Sequence, residues 1–157
     1  MMTRANVRIF LQKCEEKLTK LRKGEGKRHL TYNYPEMGPR CLQIKTELNY
    51  DVHYEWWIDK NNLIKVALHF EKQDNPALNM ERYLQCVPCT KNLQEDALDK
   101  GELNYEDLFG NNNNWRHISI RKPLSSATEV VECEVDWAVK MMQLMLKTFD
   151  DNVKGLK

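Results

Sequence analysis

Apolar residues recur at three- and four-residue steps through Val7, Phe10, Leu11, Cys14, Leu18 and Leu21, which predicts a helix over about Thr3–Lys23. Arg4, Arg8, Lys13, Lys17 and Lys20 lie mostly off this stripe, and Gly24-Glu25-Gly26 supplies residues that end helices readily. The period then shortens to two. His29–Tyr34 alternates weakly, Pro35–Pro39 reads as a turn, and Cys41–Lys45 reads as a short strand. Tyr54–Ile58 and Leu63–Phe70 are rich in aromatic and β-branched residues, and Asp59-Lys60-Asn61-Asn62 between them has the chemistry of a hairpin turn. Within the second of these strands Ile64, Val66, Leu68 and Phe70 alternate with Lys65, Ala67 and His69, as on a sheet with one apolar face.

Asn75-Pro76 opens a second helix that runs to about Cys86 and stops near Pro88. A third fits Lys91–Lys100, closed by Gly101, and Asn111–Asn114 reads as a solvated loop. Trp115–Lys122 is a further strand, with Trp115, His117, Ser119 and Arg121 on one face and Arg116, Ile118, Ile120 and Lys122 on the other. The last helix, about Glu129–Lys154, carries a stripe from Val131 to Val153 that Trp137, Met141, Leu144 and Met145 broaden past one face. So wide an apolar surface places this helix in the core; the second reading is a homodimer through Met141, Met142 and Met145. Together these elements predict one α+β domain over 1–157. Its sheet is mainly antiparallel and twisted, of about four or five strands, packed against the long N- and C-terminal helices.

Composition narrows the class without choosing a function. With 41% apolar and 30% charged residues the chain is neither disordered nor collagen-like. No apolar run suffices to cross a bilayer, and the first residues lack the unbroken apolar stretch of a secretion signal, so a cytoplasmic location with no membrane partner is expected. Five cysteines, an odd number, read as reduced thiols. The net charge of +1 is unevenly spread: residues 1–45 hold 11 Lys or Arg against 4 acidic residues, and the remainder 13 against 19. Either the basic segment balances the acidic remainder inside the fold, or it meets a phosphate backbone. In the second case Lys17, Lys20, Arg22, Lys23, Lys27 and Arg28 form the contact.

The function this pattern favours is binding of a protein or nucleic-acid partner, without catalysis, cofactor or metal. Trp56, Trp57 and Trp115, interleaved with basic residues such as Arg116, supply stacking platforms for exposed bases, although alternation sends Trp56 and Trp57 to opposite faces. Two enzymatic alternatives have partial signatures. Glu36 followed by Gln43-Ile44-Lys45, with Glu47 as an added ligand, follows in outline the acidic-Glu/Gln-x-Lys arrangement of metal-dependent nucleases. That chemistry needs paired carboxylates for Mg²⁺ and a lysine for the attacking water, and the carboxylate set is incomplete. Cys86-Val87-Pro88-Cys89 has dithiol spacing, yet it ends one helix and precedes another instead of opening a helix after a strand. His29, His53, His69 and His117 fall on or beside strands and meet only if the fold brings them together.

The runs Leu48–Ile58 and Ile64–Glu71, with Leu103-Asn104-Tyr105-Glu106, Trp115-Arg116-His117-Ile118 and Asp136-Trp137-Ala138, resemble a bacterial domain of unknown function. That domain is often found C-terminal to nuclease-like domains. The resemblance covers about residues 48–153 and rests on aromatic and alternating positions. It implies an accessory role near DNA metabolism or phage defence.

Overall fold

A computed structural model describes residues 1–35, 40–97, 102–104 and 114–157. Glu36, the residues Asn111–Asn113 and the expected end of the third helix lie outside the described residues. Helix α1 (Arg4–Gly24) starts where the Thr3 hydroxyl accepts the Asn6 amide at 3.2 Å and ends before Gly26, whose φ of +66° needs no Cβ. Five antiparallel pairings then join six strands: β1 (Tyr32–Asn33), β2 (Cys41–Thr46), β3 (Asn49–Ile58), β4 (Leu63–Phe70), β5 (Glu102–Asn104) and β6 (Arg116–Pro123). Their spatial order is β1-β2-β3-β4-β6-β5. The antiparallel sheet between long N- and C-terminal helices is the one expected; among the described residues two short strands, β1 and β5, form its edges.

The turn between β3 and β4 follows its residue chemistry. Asp59 Oδ1 accepts from the amides of Asn61 (2.8 Å) and Leu63 (2.9 Å), and Asn62 takes φ +58°, which asparagine tolerates better than most residues. Helix α2 (Pro76–Cys86) is capped by Asn75, a 3₁₀ turn spans Val87–Cys89, and α3 (Thr90–Ala97) follows. Helix α4 (Glu132–Lys154) closes the chain, with Glu132 and Glu134 at its positive end.

Register decides what each face of the sheet carries. Leu42, Trp56, Val66 and Ile120 lie side by side across β2, β3, β4 and β6, as do Ile44, Tyr54, Leu68 and Ile118. All eight are buried, and they pack beneath α1 and α4 with Phe10, Leu11, Leu18, Ala138 and Phe149. Trp56 is fully buried and donates its Nε1–H to the Ala138 carbonyl at 3.0 Å. It is therefore a core residue and offers no platform to a base. The same holds for the expected dimer surface: Met141, Met142 and Met145 are fully buried in the core, since α4 lies between the sheet, α1 and the middle helices. Arg40 ties the sheet edge to the N-terminus, donating to the carbonyls of Ile58 (2.7 Å), Met2 (3.1 Å) and Asp59 (3.1 Å). We expect Arg40→Met, which keeps the stem and deletes these donors, to cost about 2 kcal/mol in urea unfolding.

Candidate functional site

The second face of the sheet is polar and nevertheless buried. Strands β3, β4 and β6 align His53, His69 and His117 directly opposite one another, and the next rung holds Gln43, Glu55, Ala67 and Ser119. His53, His69 and His117 are only 1–2% exposed and Glu55 is 6% exposed. The three imidazoles stack: ring centroids lie 5.1 Å apart for His53 and His69, with an interplanar angle of 6°, and 5.2 Å for His69 and His117.

A directed network runs through it. Asn33 Nδ2 donates to Gln43 Oε1 at 3.1 Å, which turns the Gln43 amide nitrogen toward His53 Nε2 (3.2 Å) and Glu55 Oε2 (3.3 Å). His53 Nδ1 faces the Tyr50 carbonyl at 2.8 Å and so carries the hydrogen there. His69 lies between two carboxylates, with Nδ1 2.8 Å from Glu71 Oε1 and Nε2 3.6 Å from Glu55 Oε1.

The charge states follow from these contacts. Burial pulls His69 down, but Glu55 and Glu71 outweigh it and hold the imidazole above its ordinary value. Burial likewise pushes Glu55 up, and His69, then His53 and Gln43, bring it below the usual carboxylate range. His117 moves the other way: burial, then the positive His69 and Lys65, lower it to about 3. The row is thus an imidazolium held against carboxylates, with a neutral imidazole stacked on its β6 side.

On the helix-packed side, a cleft of about 490 Å³ opens at the sheet edge between the end of α1, β2 and α4. Arg22, Lys27, Arg28, Lys45, Lys147 and Lys154 line it, together with His29 and the carboxylates Glu25, Glu47, Asp150 and Asp151. Lys27 pairs with Glu25 (2.8 Å), Arg28 with Glu47 (3.7 Å) and Lys154 with Asp150 (3.5 Å). Tyr54 is at the buried end of the cleft. Burial, then the charge of Asp150, pushes its hydroxyl well up, so it stays neutral.

The expected site residues are distributed among these surroundings. Lys17 bonds Glu132 and Asp136 of α4, whereas Lys20 and Lys23 are exposed and Arg22, Lys27 and Arg28 reach the cleft. Trp57 is half-buried on the polar face, with Lys65 Nζ 4.9 Å from its ring centre. Arg116 lies opposite Phe70 in the β4–β6 register, and Trp115 is half-buried just before it. Gln43 joins the histidine network, but Glu47 pairs with Arg28 and Lys45 is exposed, so these three do not surround one point. Cys86 is buried and its thiol is pushed up to about 12 by burial and then Cys89, the opposite direction from an activated thiol. The convergence of His53, His69, His117 and Glu55 was visible in sequence only as same-parity positions on separate strands.

Fold and site together define a helix-backed antiparallel sheet domain with a buried imidazole–carboxylate row on its second face. No protein-family model and no curated protein sequence matches the chain. Among the described residues no helix is long and apolar enough to cross a membrane.

Proposed function

We propose that this domain is a non-catalytic binding module for single-stranded nucleic acid, held at the basic cleft. One observation carries the reading: Arg22, Lys27 and Arg28 from the end of α1 and the segment after it face Lys45 of β2 and Lys147 and Lys154 of α4 across one cleft. Cations from three separate segments gathered around a concave site of about 490 Å³ suit a phosphodiester backbone. The accessory role implied by the bacterial resemblance is compatible with this ligand. The carboxylates in the cleft set an order of events: phosphates displace Glu25 and Glu47 from Lys27 and Arg28, exchanging exposed ion pairs that are individually weak.

The test is fluorescence anisotropy with labelled DNA and RNA oligonucleotides at low and physiological salt. Binding is expected to weaken with salt, and Lys27→Ala with Arg28→Ala to reduce the log–log salt slope by about 0.7 per lost contact. Lys13→Ala is the control, because Lys13 bonds Glu132 outside the cleft. Equal loss in the control and in the cleft variants, or salt-insensitive binding, refutes the assignment; binding only to an acidic protein would redirect it to a protein partner.

A further inference from the structure

We propose that His53, His69 and Glu71 form a binding site for one divalent transition-metal ion of the zinc class. The inference is independent of the basic cleft. One ring nitrogen from each imidazole and one Glu71 carboxylate oxygen all lie within 4.8 Å of one another. Two imidazoles and a carboxylate are the donor set that zinc-class ions take when a fourth position is left for water or a ligand. Hard ions such as Mg²⁺ are a poor match, since they select oxygen donors.

The surroundings supply what such a site needs beyond its ligands. The Tyr50 carbonyl, 2.8 Å from His53 Nδ1, fixes the hydrogen on that nitrogen and leaves Nε2 as the donor to an ion. Glu55 stands within 3.5 Å of His53 Nε2 and 3.6 Å of His69 Nε2, so it faces both ligand rings without being counted among the ligands. With Glu71, it places two carboxylates beside a dication, which lowers the cost of burying that charge. The Glu71 side chain is 16% exposed while His53 and His69 are at most 2% exposed, so an ion enters from the Glu71 end of the row.

Ligation requires a definite rearrangement. Zinc holds nitrogen and oxygen donors at about 2.0–2.2 Å from the ion, so donor atoms as far apart as 4.8 Å must draw together around it. Rings stacked at 6° do not share one in-plane point. His53 and His69 must therefore turn about their Cβ–Cγ bonds, and the ion takes the place of the His69 proton in the 2.8 Å contact with Glu71, that proton leaving to solvent. Loss of the His53–His69 stack is a signature that adventitious surface binding lacks.

The experiment titrates Co²⁺ into chelator-treated full-length protein, followed by its visible absorption, then displaces it with Zn²⁺. A parallel NMR series follows the histidine ring protons. The expected result is one saturable site with the strong visible bands of a low-coordinate ion, displaced by Zn²⁺, with His53 and His69 signals moving and His29 unmoved. Glu71→Gln and His69→Gln should each weaken Co²⁺ by more than the roughly 10–100-fold that loss of an outer partner costs. Glu71 is at the rim, so its variant keeps the proposal testable if the His69 variant does not fold. Absence of stoichiometric Co²⁺ binding in the unmodified protein, or binding that Glu71→Gln leaves unchanged, overturns the proposal.

Discussion

Acidifying the metal-free protein from pH 6.5 to pH 4.5 is expected to remove about 2 kcal/mol of stability, and replacing His117 by Gln to abolish most of that loss. Burial, His69, Lys65 and Arg121 all disfavour a proton on His117, and Glu55 opposes them, with a folded value of about 3 as the result. The unfolded imidazole titrates near 6.5. Between those two values the unfolded chain binds a proton that the native chain refuses, so stability falls as pH falls. The carboxylate of Glu55, which lies below its ordinary value, adds a second loss only beneath about pH 4.5.

His69 works in the opposite sense. Its raised value means that the native state holds a proton the unfolded state releases, so its contribution is complete below about pH 6.5 and fades as pH rises through the folded value. Among the described residues, Glu55 and His53 from β3, Lys65 from β4, Glu71 just after it and His117 from β6 face it. The two imidazoles thus predict a maximum in stability near pH 6.5. Urea midpoints measured across the range, for the unmodified chain and His117→Gln, decide the matter. An unchanged acid limb in the variant would show that His117 is protonated in the folded chain.

Glu55→Gln is expected to cost about 3 kcal/mol near pH 6, where His69 carries its proton. The amide keeps the shape and leaves Gln43 and His53 a polar neighbour, yet it removes one of the two carboxylates that hold a buried imidazolium. Removing one member of a buried charged pair strands the other in a medium of low polarity, which is why the cost exceeds that of a surface pair. Glu132→Gln supplies the comparison. Its partners Lys13 and Lys17 are solvent-accessible and the Glu132 side chain is 52% exposed, so its loss should be much the smaller of the two. Equal costs for the two variants in urea unfolding would mean that Glu55 holds no buried charge. A Glu55→Gln cost that shrinks as pH rises through the folded value of His69 would separate charge from packing.

Much of the fold was legible because its elements carry strong local periods. The stripe Val7–Leu18 is buried against α4, and the alternation of Leu63–Phe70 sends Ile64, Val66, Leu68 and Phe70 to the core, as expected. The hairpin turn at Asp59–Asn62 and the Asn75-Pro76 helix start also follow from side chains bonding nearby backbone. Leu21 extends the first stripe yet is 46% exposed. The breadth of the α4 stripe left core and dimer as alternatives; burial on several sides is a property of neighbours, which one helix cannot report.

The histidine row shows where local reading stops. Alternation alone puts His53 with Glu55, His69 with Ala67, and His117 with Ser119, each on one side of its own strand. Whether those sides coincide, and at which rung, depends on strand order and on a register in which a one-residue slip would send each imidazole to the opposite face. The hairpin fixes His53 against His69, but the pairing of β4 with β6 is non-local and aligns His117 only after the intervening helices are placed. Local periods therefore set the helices, the longer strands and their apolar faces, because those depend on neighbours a few residues away. Which polar side chains meet is settled by packing instead, because it depends on distances between segments that no local period encodes.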